Sequence, residues 1–122
     1  VMRTLNNDME YLNFLIYGML CDSKEINVGC LRDLAEWKGY GDDLFSCTYS
    51  KADDDYCPRG KVAIVEWESE ASEEINTLVL YDPKFFYQHL AEACEKTAQK
   101  YPEDRKSMEQ SLAKIRHDLN LD

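Results

Sequence analysis

Histidine and cysteine are the residue types in this sequence best suited to catalysis or metal binding. The chain of 122 residues has only two histidines, His89 and His117. His89 lies on a predicted helix with no second histidine or cysteine three or four positions away, so it lacks the usual helical spacing of metal ligands. Cys57 stands two residues before Arg59, which leaves open a small enzyme that uses this thiol, or His89, in catalysis. No catalytic motif is complete, and we expect no enzymatic activity, no cofactor and no metal ion.

The cysteines also bear on the compartment. They are five in number, with no C-x-x-C pair: Cys21, Cys30, Cys47, Cys57 and Cys94. In a secreted domain an odd number would leave one thiol without a partner, whereas a reducing cytosol requires no pairing. We therefore expect a cytoplasmic protein whose thiols pack as small apolar side chains.

Carboxylates are the most numerous charged groups in the sequence. The sequence has 24 acidic and 14 basic residues, a formal net charge of −10. This charge disfavours nucleic acids and anionic membranes, and the most apolar stretch, residues 11–21, is about half the ~20 residues of a membrane span. A negative surface does attract a cationic protein over long range. Solubility alone also accounts for an acidic composition, and that alternative stays open.

One group of carboxylates lies in two loops on either side of a predicted strand. The three consecutive aspartates lack the alternating pattern and the final glutamate of a calcium-binding loop. They form either a solvated loop or a recognition loop, in which the neighbouring tyrosine supplies contact area and the aspartates meet lysine or arginine. The candidate binding residues here are Asp42, Asp43, Asp53, Asp54, Asp55 and Tyr56.

A second group of carboxylates follows the next predicted strand. A solvated connector explains these glutamates, but an adjacent tryptophan gives the segment the composition of an interaction hot spot. The candidate binding residues here are Glu66, Trp67, Glu68, Glu70, Glu73 and Glu74.

These residues are carried by a predicted order of helix, helix, three strands, helix and helix. Apolar side chains recur at helical spacing in residues 9–20, 28–38, 86–101 and 108–119, and alternate along 45–49. The runs 61–67 and 75–81 predict an antiparallel hairpin. Residues 1–122 are therefore expected to form one α+β domain, in which a small antiparallel sheet of about three strands packs against N-terminal and C-terminal helices.

Five residues mark four expected helix boundaries. Asn7 and Asn27 have the side chains of N-caps, and Gly39 stands where a left-handed residue ends a helix. The Asp82-Pro83 pair predicts a helix start, with aspartate as the cap and proline in the first turn.

The C-terminal third contains a distinctive order of residues. The strand Leu78-Val79-Leu80-Tyr81 leads directly into residues 82–90, DPKFFYQHL, and Tyr101-Pro102-Glu103-Asp104 opens the last amphipathic helix. In these segments the chain resembles the immunity proteins of bacterial contact-dependent growth inhibition systems, in particular those directed against ribonuclease toxins.

The resemblance implies a specific function. Such a protein stays in the cytosol of the producing cell and binds the C-terminal toxin domain delivered by a neighbouring cell, blocking its active site or RNA-binding surface. We expect a monomer in a 1:1 complex with a basic ribonuclease domain. The alternative is an acidic protein-binding adaptor with a partner other than a toxin.

Overall fold

The fold is a five-stranded sheet with helices against one face. The computed structural model describes residues 2–49 and 57–122. The strand order across the sheet is β1-β7-β6-β5-β4, and β2 and β3 form a separate two-stranded hairpin. The strands are β1 (Arg3–Asn6), β2 (Cys21–Asp22), β3 (Glu25–Ile26), β4 (Gly39–Gly41), β5 (Phe45–Tyr49), β6 (Val62–Trp67) and β7 (Ile75–Tyr81).

Four α-helices accompany the sheet within residues 2–49 and 57–122. They are α1 (Met9–Asn13), α2 (Val28–Trp37), α3 (Pro83–Lys100) and α4 (Arg105–Asp118). A π-helical segment, Phe14–Met19, continues α1, and a short 3₁₀ turn, Pro102–Asp104, precedes α4. No helix in the described ranges is long and apolar enough to cross a membrane.

The three predicted strands are confirmed, and the sheet extends beyond them on both sides. β5, β6 and β7 are antiparallel neighbours. β4 adds an antiparallel edge to β5, while β1 pairs with β7 in parallel and makes the sheet mixed. The α+β class is therefore confirmed, with more strands than expected.

The core lies between the inner face of the sheet and the helices. Ile64 of β6 and Val79 of β7 are fully buried on that face, opposite Leu34 of α2 and Phe86 of α3. The Tyr49 hydroxyl donates to the Leu34 carbonyl oxygen at 3.0 Å, so a buried polar tip is satisfied. The buried apolar side chains between the sheet and the helices form one continuous cluster, whereas Ala63 and Val65 are buried on the outer face of β6.

The first helix departs from the expected α-helical stripe. Leu12, Ile16 and Leu20 are buried as the spacing predicts, and so is Leu15, three residues after Leu12, but Met9 of the predicted stripe is exposed. The Leu20 N–H donates to the Leu15 carbonyl oxygen, five residues back, which is the bond of a π-helical turn. The segment that continues α1 is therefore wound more widely than the predicted α-helix.

Two predicted boundaries are wrong by one residue and two are correct. Asp8, not Asn7, caps α1 and accepts from the Tyr11 N–H. Lys38, not Gly39, takes the left-handed conformation after α2. Asn27 caps α2 as predicted, and α3 begins at Pro83 after Asp82.

Candidate protein-interaction surface

Two acidic segments that are distant in sequence meet at one end of the sheet. Phe45, at the start of β5, pairs with Glu66, near the end of β6. The Trp67 N–H donates to the Leu44 carbonyl oxygen at 2.9 Å, which ties the β4–β5 turn to the start of the β6–β7 connection. Residues 42–46 and 66–76 therefore adjoin, and together they are called the acidic end.

The acidic end concentrates charge of one sign. Residues 42–46 contain two acidic side chains and residues 66–76 contain five, with no lysine, arginine or histidine in either segment. Within the described part of the chain, none of these seven carboxylates forms an ion pair. The segments contributing this charge therefore contain no compensating cation of their own.

The β6–β7 connection is held by backbone hydrogen bonds. The Glu68 N–H donates to the Glu74 carbonyl oxygen at 3.0 Å, and the Ser72 N–H donates to the Ser69 carbonyl oxygen at 3.1 Å. The Ser72 hydroxyl accepts from the Glu74 N–H at 2.9 Å. This turn leaves four predicted binding residues exposed to solvent: Glu68, Glu70, Glu73 and Glu74.

The two predicted aspartates of the β4–β5 turn have different environments. Asp42 accepts from the Leu44 and Phe45 N–H groups with one oxygen, at 2.9 and 3.0 Å, and so stabilises the turn. Asp43 is exposed and makes no such bond in the described structure. Of these two aspartates, only Asp43 has both carboxylate oxygens available to a partner.

Glu66 lies where the acidic end meets the first helix. It is half-buried on the inner face of β6, and its Oε1 accepts from the Tyr11 hydroxyl at 3.1 Å and the Asn76 amide at 2.8 Å. Beside it opens a groove of about 680 Å³. The groove is lined by Arg3, Glu10, Tyr11, Asn13, Phe14, Gly18, Phe45 and Glu66.

Among the described residues, the most exposed aromatic side chain is one that the sequence interpretation missed. Trp37, the last residue of α2, is 77% exposed, whereas the predicted anchor Trp67 is half-buried. Trp37 borders a shallow depression of about 560 Å³ that also includes Asp33 and Asp43. A tryptophan outside the buried stripe of an amphipathic helix is the sequence feature that could have identified it.

Glycines shape this depression. Gly39 and Gly41 pair with Thr48 and Ser46, so all four residues face the outer side of the sheet. A Cβ atom at Gly39 would lie 2.8 Å from the Cys47 carbonyl oxygen, so β4 approaches the backbone of β5 more closely than a larger residue would allow. A Cβ atom at Gly41 would lie 2.4 Å from the Phe45 carbonyl oxygen, too close for any substitution without a backbone shift.

Four predicted binding residues, Asp53, Asp54, Asp55 and Tyr56, lie outside the described residues. The strand ends that flank them can still be placed. Tyr49 pairs with Val62 at the end of the sheet opposite Phe45 and Glu66.

Most of the described thiols are shielded, including Cys57, the one considered for catalysis. Burial raises the pKa of Cys21 to about 11 and that of Cys94 to about 12, and it raises the pKa of Cys47 further. Cys57 is fully buried, with its Sγ 3.1 Å from the Lys61 carbonyl oxygen. Shielded thiols with raised pKa values are poor nucleophiles at neutral pH.

The histidine in α3 forms a hydrogen bond within its own helix. His89 Nδ1 lies 2.9 Å from the Phe85 carbonyl oxygen, and the two rings are 4.5 Å apart. Across residues 2–49 and 57–122, no group of three or more histidine, cysteine or acidic side chains is arranged to hold a metal ion. The described residues instead form an acidic surface with a groove beside Glu66 and a depression beside Trp37.

Comparisons with family models, curated proteins and solved structures give no match.

Proposed function

We propose that this chain is an immunity protein that binds and neutralises the C-terminal ribonuclease toxin domain of a contact-dependent growth inhibition system. The observation that supports it is the acidic end, where seven carboxylates from two segments adjoin without an ion pair among the described residues. The resemblance of residues 78–90 and 101–104 to such immunity proteins supplies the class of partner.

The charge of the acidic end suits a ribonuclease target. An enzyme that cleaves RNA has a cationic surface for phosphates, and an array of carboxylates competes for the same surface. Unpaired charges at one end of a molecule accelerate association by electrostatic steering, because their field adds over long range. In this proposal the acidic end occludes the active site or the RNA-binding surface, and the protein acts in the cytosol as a 1:1 complex.

Trp37 supplies contact area beside this charge. Tryptophan is enriched among residues that dominate binding energy, and at 77% exposure this side chain is available to a partner. A lysine or arginine held over the indole ring would also lie near Asp33 and Asp43, which border the same depression.

The proposal is tested with the toxin domain encoded beside this gene. Purified chain at molar excess should abolish RNA cleavage, and calorimetry should give a 1:1 complex whose affinity falls with added salt. Undiminished cleavage at molar excess would contradict the proposal. Capture of a basic housekeeping protein from the native host, with no toxin bound, would instead favour the acidic adaptor.

A point variant tests the tryptophan. Trp37→Ala should weaken toxin binding by about tenfold or more, which is the effect of truncating a hot-spot side chain. Tyr101→Ala is the matched control, because Tyr101 is also an exposed aromatic, at 41%, but follows the C-terminal end of α3. Equal affinities for both variants would remove Trp37 from the interface.

A further inference from the structure

The groove between α1 and the acidic end has an aromatic wall. The Phe14 and Phe45 rings meet edge to face with centroids 4.7 Å apart, and the Tyr11 ring stacks on Phe45 at 6.1 Å. Phe14 is 53% exposed, although Phe45 beneath it is buried. Aromatic surface of this kind can bind apolar groups, and the ring faces also attract cations.

The same groove has a carboxylate held in a fixed position. Glu66 receives hydrogen bonds from Tyr11 and Asn76 through Oε1 alone. Its Oε2 makes no hydrogen bond or ion pair within residues 2–49 and 57–122 and remains available as an acceptor. Glu10 adds a second, exposed carboxylate to the lining.

One guanidinium of the chain already borders this groove. Arg3 Nη2 donates to the Tyr11 hydroxyl at 2.9 Å and to the Thr77 hydroxyl at 3.5 Å. It forms no ion pair with Glu66 in the described structure. The charged side chains of the lining are therefore two carboxylates and one guanidinium. The Glu66 carboxylate is not neutralised by direct contact with that guanidinium.

We propose that this groove is a binding site for a guanidinium group and receives an arginine side chain of the basic partner. A guanidinium is planar, so it can stack on the Phe14 ring while its N–H groups donate to the free oxygen of Glu66. A lysine ammonium lacks the planar face. The identity of the partner rests on the proposed function, whereas the chemistry of the groove does not.

Small probes test the groove directly. The full chain is titrated with N-acetyl-arginine amide and with its uncharged citrulline analogue, and NMR shifts are followed. The arginine probe should shift the Phe14 and Phe45 resonances saturably and bind about tenfold tighter than the citrulline probe, because only the former carries charge. Equal binding of both probes, or shifts that map elsewhere, would overturn the proposal.

Variants separate the two walls of the groove. Glu66→Gln keeps an acceptor for Tyr11 and Asn76 but removes the charge, and Phe14→Leu keeps apolar bulk but removes the ring. Each should weaken the arginine probe about fivefold or more, whereas Arg3→Met, which removes a repelling charge, should strengthen it. Unchanged affinity in both Glu66→Gln and Phe14→Leu would overturn the site.

The toxin domain then distinguishes this inference from the proposed function. Weaker toxin binding by Glu66→Gln and Phe14→Leu supports the arginine contact. If both variants bind the toxin like the parent, the arginine contact is overturned and the immunity function stands. If the parent fails to bind the toxin but prefers the arginine probe at the groove, the immunity function falls and the guanidinium site is supported.

Discussion

Some acidic residues outside the acidic end have cationic partners, whereas those of the acidic end have none among the described residues. Glu95 of α3 pairs with Arg105 at 2.7 Å, and Lys100 of α3 pairs with Glu25 at 2.7 Å. At the sheet end opposite the acidic end, Asp82 pairs with Lys61 at 2.6 Å. In the acidic end, no carboxylate has such a cation among the described residues.

This difference separates two uses of charge. Exposed ion pairs each contribute little to stability, but they limit mutual repulsion on the helical layer. Unpaired like charges held close together are unfavourable for the folded state and favourable for meeting a cationic molecule. The proposed function assigns the acidic end to association with a cationic partner.

Charge reversal should produce the largest difference between the two regions. In Glu68→Lys/Glu70→Lys/Glu73→Lys, three reversals add six charges and change the net charge from −10 to −4. The association rate with the purified toxin domain should fall about 100-fold at low salt, because steering depends on local charge. Stopped-flow fluorescence measures the rate at several salt concentrations.

The matched control changes the same net charge elsewhere. Glu92→Lys/Glu103→Lys/Glu109→Lys reverses three exposed glutamates on the helical layer. It should slow association only severalfold. Equal slowing by both triple variants would show that net charge alone drives encounter, and the comparison between the regions would fail.

The two aspartates of the β4–β5 turn should differ, by a smaller amount, in their contribution to the free energy of unfolding. Asp42→Ala should lower the free energy of unfolding by about 1 kcal/mol, because the Leu44 and Phe45 N–H groups lose their acceptor. Asp43→Ala removes the same charge without that loss and should leave stability within about 0.5 kcal/mol. Urea unfolding measures both variants, and equal destabilisation would assign no special role to Asp42.

Acid should affect the paired carboxylates in a predictable direction. Hydrogen bonds from Lys61, Arg105 and His117 hold the pKa values of Asp82, Glu95 and Asp122, respectively, below their usual range. A carboxylate with a lowered pKa in the folded state stabilises the fold above its unfolded pKa, and this contribution is lost as the pH falls below about 4.

The measurement compares urea midpoints at neutral and acidic pH. Asp82→Asn/Glu95→Gln/Asp122→Asn should lose less stability than the parent between pH 7 and about pH 3.5. The reason is that the three carboxylates with lowered pKa values are replaced by amides, which do not take up protons in this range. An equally steep loss in the triple variant would mean that other groups govern acid stability. The effect is the smallest of the three, since all these side chains are substantially exposed.

The sequence pattern predicted most of the helices and strands that bury one face against the core. The alternation of Phe45, Cys47 and Tyr49 and the stripes of α2, α3 and α4 follow directly from burial against a single core. β1 and β4 were missed because they are short edge strands of four and three residues, one largely exposed and the other glycine-rich. Their pairing depends on β7 and β5, which local sequence does not encode.

The candidate site was predictable only in its charge. Runs of glutamate and aspartate are visible in sequence, but the contact between Leu44 and Trp67 that joins them depends on strand register. The groove beside Glu66 draws residues from β1, β5, β6 and the first helical region, so no single segment reveals it. Trp67 was preferred to Trp37 because it adjoins the glutamates, although its side chain is half-buried.

The parallel pairing of β1 with β7 has a consequence for how the chain folds. Arg3 contacts Thr77, 74 positions further along, and β1 has no strand partner until β7 exists. Such distant pairing is slow compared with helix formation, and during synthesis β1 must wait for most of the chain. The part of the groove that Arg3 lines therefore forms only once β7 is present.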